Sequence, residues 1–361
     1  MKVLFITLEQ SGKEILKTIL NNPFFSNNQS SINTFGLNEN HLKIKDLTNI
    51  NIKPLMGISD LFLNLFYLFK LRKSINILIK SNDFTHIFFI DSFDFTKFYL
   101  KKYQNKKISY YQIVGPSVFI WKKNRAKFIN KNMNGLFSIF EIERDYYDSN
   151  KYNFIGHPLI SKVKLNNNFN DKVKNIGIFL GSRHQEISKN INIIKDLLNK
   201  LESISQYNYF FFTTPNFDYL IKKNFFTINN SKFILNNDDY YENISILDFA
   251  FACSGTVHLE LSFSHIPHFI FYKSSTLNFL IFKYFVKSKF LSLINIFNKK
   301  LIVKEFVQKN FTGQLLFNSF MELLKNDNLS QYRSNMISSL KNSNLQSYKP
   351  NIIVDHLKKF F

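Results

Sequence analysis

An α/β chain with two Rossmann-like domains facing a central cleft is what this sequence predicts, on three observations. Short apolar runs recur, each followed by a turn and then by a stretch of helical periodicity. The runs are continuous rather than alternating, which suits parallel strands covered on both faces. The series stops at a polar, Asn- and Lys-rich segment, residues 161–174, and then starts again. At 361 residues the chain is long enough to build two such domains.

In order, residues 2–7 read as a buried strand, Ser11-Gly12 as a turn, and residues 13–20 as a helix stopped by Asn21-Asn22-Pro23. Buried strands follow at 86–91 and 108–114. Beyond the polar segment, 175–180 is a strand ending in Gly181-Ser182-Arg183, and 186–201 has a helical pattern. Strand-type runs then come at 207–213, 232–235, 246–253 and 268–272, each trailed by a turn or helix. The expected domains are therefore 1–165 and 172–345, with a terminal helix over 346–361 that can pack back on the first. In doubly wound sheets ligands bind beyond the carboxyl ends of strands, so strand-end residues are the site candidates.

Composition narrows the function classes. An apolar fraction of 45% excludes a disordered chain, and the lone Cys253 excludes a disulfide framework and fits a reducing compartment. The net charge of +21 creates a positive field suited to a phosphorylated substrate or an anionic membrane. No zinc-finger spacing or RNP-like aromatic motif accompanies that charge, so no nucleic-acid partner is expected. No His/Cys/Asp cluster has structural-metal spacing either, and no metal is expected. Acidic Glu9 interrupts any signal-peptide pattern, and no apolar run reaches the roughly 18 to 20 residues of a membrane span. The expectation is a cytoplasmic protein with surface access to a membrane. Residues 56–79 form a greasy helical surface carrying Lys70, Arg72 and Lys73, which either packs on a sheet or dips into a bilayer. The stretch 279–285 poses the same choice more weakly.

Several strand ends carry groups suited to chemistry. Ser254-Gly255-Thr256 ends an apolar run, and its hydroxyls and backbone N–H groups suit a phosphate. Glu260 lies one turn past Thr256 on the same face, where it can accept hydrogen bonds from a sugar or simply sit on a helix surface. Gly181-Ser182-Arg183 offers a close approach and a guanidinium fork, although Gly-Ser alone is a common turn. Earlier in the chain Asp91 and Asp94 follow a strand. Each is open to two readings: a cap or turn former, or a cleft acid, with Asp94 able to act as a general base. Glu9, Ser11 and Gly12 follow the first strand and can reach the same cleft. Gly115-Pro116-Ser117 leads to Trp121 and the basic residues Lys122, Lys123 and Arg125, fit for an anionic, apolar substrate or for a surface helix.

These segments, in this order, resemble the lipid-A-disaccharide synthases, glycosyltransferases of GT-B architecture. The resemblance runs through Glu9-Gln10-Ser11-Gly12, Ile90-Asp91-Ser92-Phe93-Asp94, Gly115-Pro116-Ser117 and Gly156-His157-Pro158. It continues through Gly181-Ser182-Arg183-His184-Gln185-Glu186, Ser254-Gly255-Thr256 to Glu260, Asn295, and the segment containing Gln308. It implies transfer of 2,3-diacylglucosamine from its UDP derivative to 2,3-diacylglucosamine 1-phosphate, giving lipid A disaccharide 1-phosphate and UDP. It also implies an inverting mechanism, no cofactor, since the UDP-sugar is a substrate, and a peripheral position on the cytoplasmic face of the inner membrane. By the resemblance Asp94 is the general base. Ser182, Arg183, Ser254, Gly255, Thr256, Glu260, Asn295 and Gln308 would line the UDP side, while Glu9, Ser11, Gly12 and Asp91 would serve the acceptor side. The chain departs from the family pattern at Leu8, Lys13, Leu16, Lys17 and Thr96 on the acceptor side, and late in the chain at Asn298-Lys299-Lys300-Leu301, where Lys300 keeps a positive charge but not a guanidinium fork. A GT-B transferase or sugar-nucleotide hydrolase with another acceptor, or a catalytically weakened membrane-binding homologue, remains the alternative, and the oligomeric state stays open.

Overall fold

The computed structural model describes residues 1–52, 65–120, 123–169, 172–236, 239–273 and 288–360. Trp121, Lys122, residues 56–64 of the 56–79 stretch and the whole of 279–285 therefore lie outside the described residues. The chain divides into two compact units, Met1–Pro158 with Ser347–Phe361, and Leu159–Gln346.

The first unit is built on a seven-stranded sheet in the order β3-β2-β1-β4-β5-β6-β7. Its strands are β1 (Val3–Thr7), β2 (Ile32–Phe35), β3 (Lys45–Asp46), β4 (His86–Ile90), β5 (Ser109–Ile113), β6 (Gly135–Ser138) and β7 (Tyr152–Phe154). Every pairing is parallel. All five residues of β1 and of β4 are buried, as continuous apolar strands in a sheet covered on both faces must be. Leu4, Ile6, Ile87 and Phe89 join Leu71, Ile75 and Tyr99 in one core, while Phe5 and Phe88 stack on the other face at 5.0 Å.

The second unit repeats the plan with six parallel strands in the order β10-β9-β8-β11-β12-β13. These are β8 (Asn175–Phe179), β9 (Asn208–Thr213), β10 (Ser231–Leu235), β11 (Phe249–Cys253), β12 (His268–Tyr272) and β13 (Glu305–Val307). The helix His184–Glu202 buries Ile187, Ile191, Ile194, Leu197 and Leu201, positions spaced by three or four, against Ile176, Ile178 and Phe251.

Both sheets change direction at one place. The chain moves outward from β1 through β2 to β3, then returns to β4 on β1's other side; β8 and β11 have the same relation. Helices on either side of such a point depart to opposite faces, leaving a crevice at the carboxyl ends of the two central strands. Those ends carry Leu8-Glu9 and Asp91-Ser92 in the first unit, and Leu180-Gly181 and Ser254-Gly255 in the second.

The last segment belongs to the first unit. Gly156 and Tyr348 form an antiparallel bridge, and the Lys349 N–H donates to the Ile155 carbonyl at 2.6 Å. Gly156 has a φ of +74°, and a Cβ there would fall 1.7 Å from the Ser347 carbonyl oxygen, so only glycine permits this approach. The helix Asn351–Lys358 then buries Ile353, Val354 and Leu357 and sets the His356 ring edge-on to Tyr111 at 4.9 Å.

Two buried histidines make the second unit sensitive to acid. Burial pushes His258 down to about 4 and His268 down to about 3, well below the usual imidazole value. The unfolded chain, with ordinary histidines near 6.5, then takes up protons first, so stability present above about pH 6.5 is lost as pH falls towards 4. Urea unfolding followed by circular dichroism is expected to lose a few kcal/mol across that window, and the loss should shrink in His268→Gln. An unchanged slope in that variant would place the cause elsewhere.

Candidate functional site

At the switch point of the second unit the turn after β8 and the turn after β11 line one cavity of about 360 Å³. Gly181, Ser182, Arg183 and Glu186 form one wall, Ser254, Gly255, Thr256 and Glu260 another, with Phe179, Phe212, Thr213, Thr214, Asn236 and Tyr240 around them. The two motifs separated by some 70 residues of sequence are thus brought together. The 19-residue helix His184–Glu202 begins directly after Arg183 and adds a partial positive charge at its start. The helix behind Thr256 has only seven residues, so attraction there rests on individual hydroxyl and N–H groups rather than on a helix dipole.

The two glycines differ. Gly181 has a φ of +114°, and its missing side chain leaves room for Glu186, whose Oε2 would lie 2.9 Å from a Cβ. At Gly255 a Cβ would meet nothing within 4 Å. That opening faces a cavity lined by the residue itself, so a ligand can approach the backbone there. His258 pins this turn: its Nδ1 pairs with the Gly255 carbonyl, and its Nε2 accepts the Leu293 N–H at 3.2 Å. A neutral imidazole suits one donor and one acceptor, in keeping with its lowered proton affinity.

Glu260 is partly buried and held by Tyr240, whose hydroxyl donates to Oε2 at 3.0 Å, and by Tyr241 at 3.5 Å. Burial raises its proton affinity, and the two phenols partly offset that rise. Cys253 also lines the cavity, but burial pushes its thiol up to about 12, which leaves it an inert wall.

Neither Asn295 nor Gln308 is among the residues that line this cavity. Asn295 is fully buried, and its Nδ2 donates to the Val303 carbonyl and to Glu305 Oε1, each at 2.7 Å. Its Oδ1 accepts the N–H groups of Ile302 and Val303 at 2.7 and 2.8 Å. These four hydrogen bonds use the capacity of the Asn295 amide within that turn. Gln308 sits just beyond β13 with a φ of +53°, three strands across from β8.

The switch point of the first unit is acidic. Asp91 and Ser92 both adopt left-handed backbone, with φ of 56° and 41°, between β4 and the helix Phe93–Tyr103. Asp91 Oδ1 accepts the Ser92 N–H at 3.0 Å rather than capping the helix, and its Oδ2 accepts the Ser11 hydroxyl at 2.6 Å. The Ser92 hydroxyl in turn donates to Glu9 Oε1 at 2.6 Å. Burial pushes the Glu9 carboxyl above the usual carboxylate range, Ser92 offsets part of the rise, and the Asp91 charge adds to it. Gly12 lets the helix Gln10–Leu20 close on this edge, since a Cβ would come within 2.5 Å of Thr7 Oγ1. Asp94, in the next turn, is half exposed and accepts from Arg125 Nη2 at 2.5 Å. Arg125 is itself buried, so this guanidinium holds the carboxylate in one orientation. Local sequence gave no sign of that partner, 31 residues away.

The family model for lipid-A-disaccharide synthetase matches residues 3–352. The chain belongs to the lipid-A-disaccharide synthase family. A lipid-A-disaccharide synthase of Rickettsia canadensis is 29% identical over 344 residues, covering 90% of this chain and 87% of its own. One of Helicobacter acinonychis is 30% identical over 244 residues and covers 67% of each chain. The family activity is inverting hexosyl transfer, the joining of two acylated glucosamines into the lipid A disaccharide. Among solved structures, the UDP-GlcNAc 2-epimerase of Neisseria meningitidis bound to UDP-GlcNAc aligns with a TM-score of 0.59 at 14% identity, over 99% of this chain and 100% of its own. That likeness supports the GT-B fold alone. Three of the residues at which this chain departs from the family pattern have clear structural settings. Leu8 and Leu16 are buried in the core of the first unit, and Lys17 pairs with Glu39 at 2.6 Å.

Gly255→Val provides a clean check on the cavity. Open space at the Cβ position predicts a melting temperature within about 2 °C of wild type, because no core contact changes. Calorimetric titration with UDP is expected to show at least about a tenfold loss of affinity from the filled entrance. Loss of stability without loss of UDP affinity would contradict the assignment of that opening to a ligand.

Proposed function

We propose that the two switch points divide the substrates, with the UDP end of the donor on Ser182, Arg183, Ser254, Gly255, Thr256 and Glu260, and the acceptor sugar beside Glu9, Ser11, Gly12, Asp91 and Asp94. The observation that carries this reading is the position of these ten strand-end or near-strand-end groups, together with Asp94, at the two crevices where α/β sheets take ligands. The donor is read as UDP-2,3-diacylglucosamine and the acceptor as 2,3-diacylglucosamine 1-phosphate.

The chemistry is a displacement at the anomeric carbon of the donor. Asp94 accepts the proton of the acceptor 6-hydroxyl as that oxygen forms the new bond to C1. The bond from C1 to the phosphate oxygen breaks, its electron pair leaves with UDP, and the configuration at C1 inverts. Arg183 and the N–H groups of the two turns stabilise the growing negative charge on the departing diphosphate. Glu260, oriented by Tyr240, accepts hydrogen bonds from ribose hydroxyls. The half-exposed Asp94 carboxylate, tethered by one guanidinium, suits a base that must meet an incoming hydroxyl.

We also infer a membrane-facing surface on the first unit. No described helix is long and apolar enough to cross a membrane. Yet Phe66 is 83% exposed on the helix Leu65–Lys80, next to half-exposed Phe69, and Phe98 projects from the neighbouring helix. Arg72 lies over the Phe69 and Phe98 rings at 6.0 and 5.8 Å, and Lys102 over Phe69 at 5.0 Å. Aromatic rings fringed by cations match an anionic lipid interface, where both acylated substrates reside.

Asp94→Asn is expected to lower kcat by at least about a hundredfold while leaving the Kd for UDP within about twofold, measured by disaccharide formation and by calorimetry. Unchanged turnover would remove Asp94 from the base role. Phe66→Ser with Phe69→Ser is expected to cut cosedimentation with phosphatidylglycerol vesicles by several-fold at unchanged circular dichroism. Equal binding by this variant would contradict the surface.

A further inference from the structure

Glu186 occupies the free protein's donor site in a way the reaction itself does not require. Its Oε2 accepts the Ser182 N–H at 3.2 Å, and its Oε1 accepts Arg183 Nη1 at 3.3 Å. These are two of the donors assigned above to the leaving diphosphate. The space created by Gly181 is filled by this same side chain, whose Oε2 and Cβ would lie 2.9 and 3.0 Å from a Cβ on Gly181. Glycine at 181 therefore serves Glu186, whereas glycine at 255 leaves its space to a ligand.

The two ends of the pair are held differently. The Glu186 side chain is 16% exposed, but that of Arg183 is 68% exposed. A solvated ion pair three residues apart on a helix start is weak and easily broken. Arg183 can thus swing away at little cost, while Glu186 stays as a fixed negative charge in the cavity wall. Such a charge repels a diphosphate a few ångströms away.

We propose that Glu186 is an internal competitor for the donor-site cation. In the free enzyme it holds Arg183 and the Ser182 N–H, and on binding the nucleoside diphosphate takes Arg183 from it. The competition lowers affinity for UDP and so favours its release after transfer. This inference rests on the donor site proposed above.

Glu186→Gln separates charge from shape, because glutamine keeps the length and an acceptor oxygen for the Ser182 N–H while removing the charge. Calorimetric titrations of the full chain with UDP and with uridine, at one ionic strength, test it. The expected result is a UDP Kd about tenfold lower than wild type, with the uridine Kd unchanged because uridine carries no phosphate. A UDP Kd that is unchanged or higher in Glu186→Gln, in a setting where wild type binds UDP, overturns the competitor role alone. Equal tightening of UDP and uridine also overturns it, since the effect would then be one of cavity shape. A wild-type protein that binds no UDP overturns the donor-site reading and this inference with it.

Discussion

The constraint on which everything else depends is the reversal of winding direction beside β1 and again beside β8. A parallel strand must be reached by a right-handed crossover, so a chain that lays strands first to one side and then to the other must put its helices on opposite faces. Between β1 and β4, and between β8 and β11, no crossover covers the carboxyl ends of the strands. The crevices are consequences of connectivity, and side chains only decorate them. Loops at these ends are free to carry hydroxyls, carboxylates and left-handed turns because the strands beneath them are fully buried and rigid.

The two crevices have opposite electrostatic character inside a protein of net charge +21. That of the first unit gathers Glu9, Asp91 and Asp94 at one edge, with serine hydroxyls as bridges. That of the second offers N–H groups and Arg183, tempered by Glu186 and by Glu260 beneath its tyrosines. In the reaction proposed above, proton removal would use the former and stabilisation of a departing diphosphate the latter. Elsewhere on the first unit Lys102 lies over the half-exposed Phe69 ring at 5.0 Å.

Much of this was legible in the sequence where a single local rule decides. Continuous apolar runs marked β1, β4, β5, β8, β9 and β12, because full burial on both faces leaves no alternation to confuse them. The strands β2, β3, β6, β7 and β13 were not read, since each has two to four residues and they draw on Asn33, Gly135, Asn153 and Glu305, whose burial or pairing is decided by neighbours. The glycine turns at 181 and 255 were legible as strand-end turns, but Tyr240, Thr213 and Asn236 gave no local signal, because they reach the cavity from the ends of β9 and β10 and from the helix that follows. Asn295 was ambiguous for a related reason. A buried amide with four partners and an amide awaiting a ligand look identical in sequence, and only the surrounding turn at 302–303 tells them apart. Arg125 shows the reverse: its meaning is the carboxylate it meets 31 residues back along the chain.

The closure at Gly156 has a consequence for biosynthesis. Because Ser347–Phe361 belongs to the unit that the first 158 residues begin, that unit is incomplete for as long as the intervening residues are being made. Its sheet can form as the chain leaves the ribosome, but the ring contacts of Tyr111 and Phe137 with His356 become available only once the segment after the second unit has been made. The second unit, whose residues 159–346 are contiguous, has no such delay. Sealing of the first unit therefore waits for the synthesis of the second, and a chain lacking residues 347–361 would carry a finished second unit and an unsealed first one.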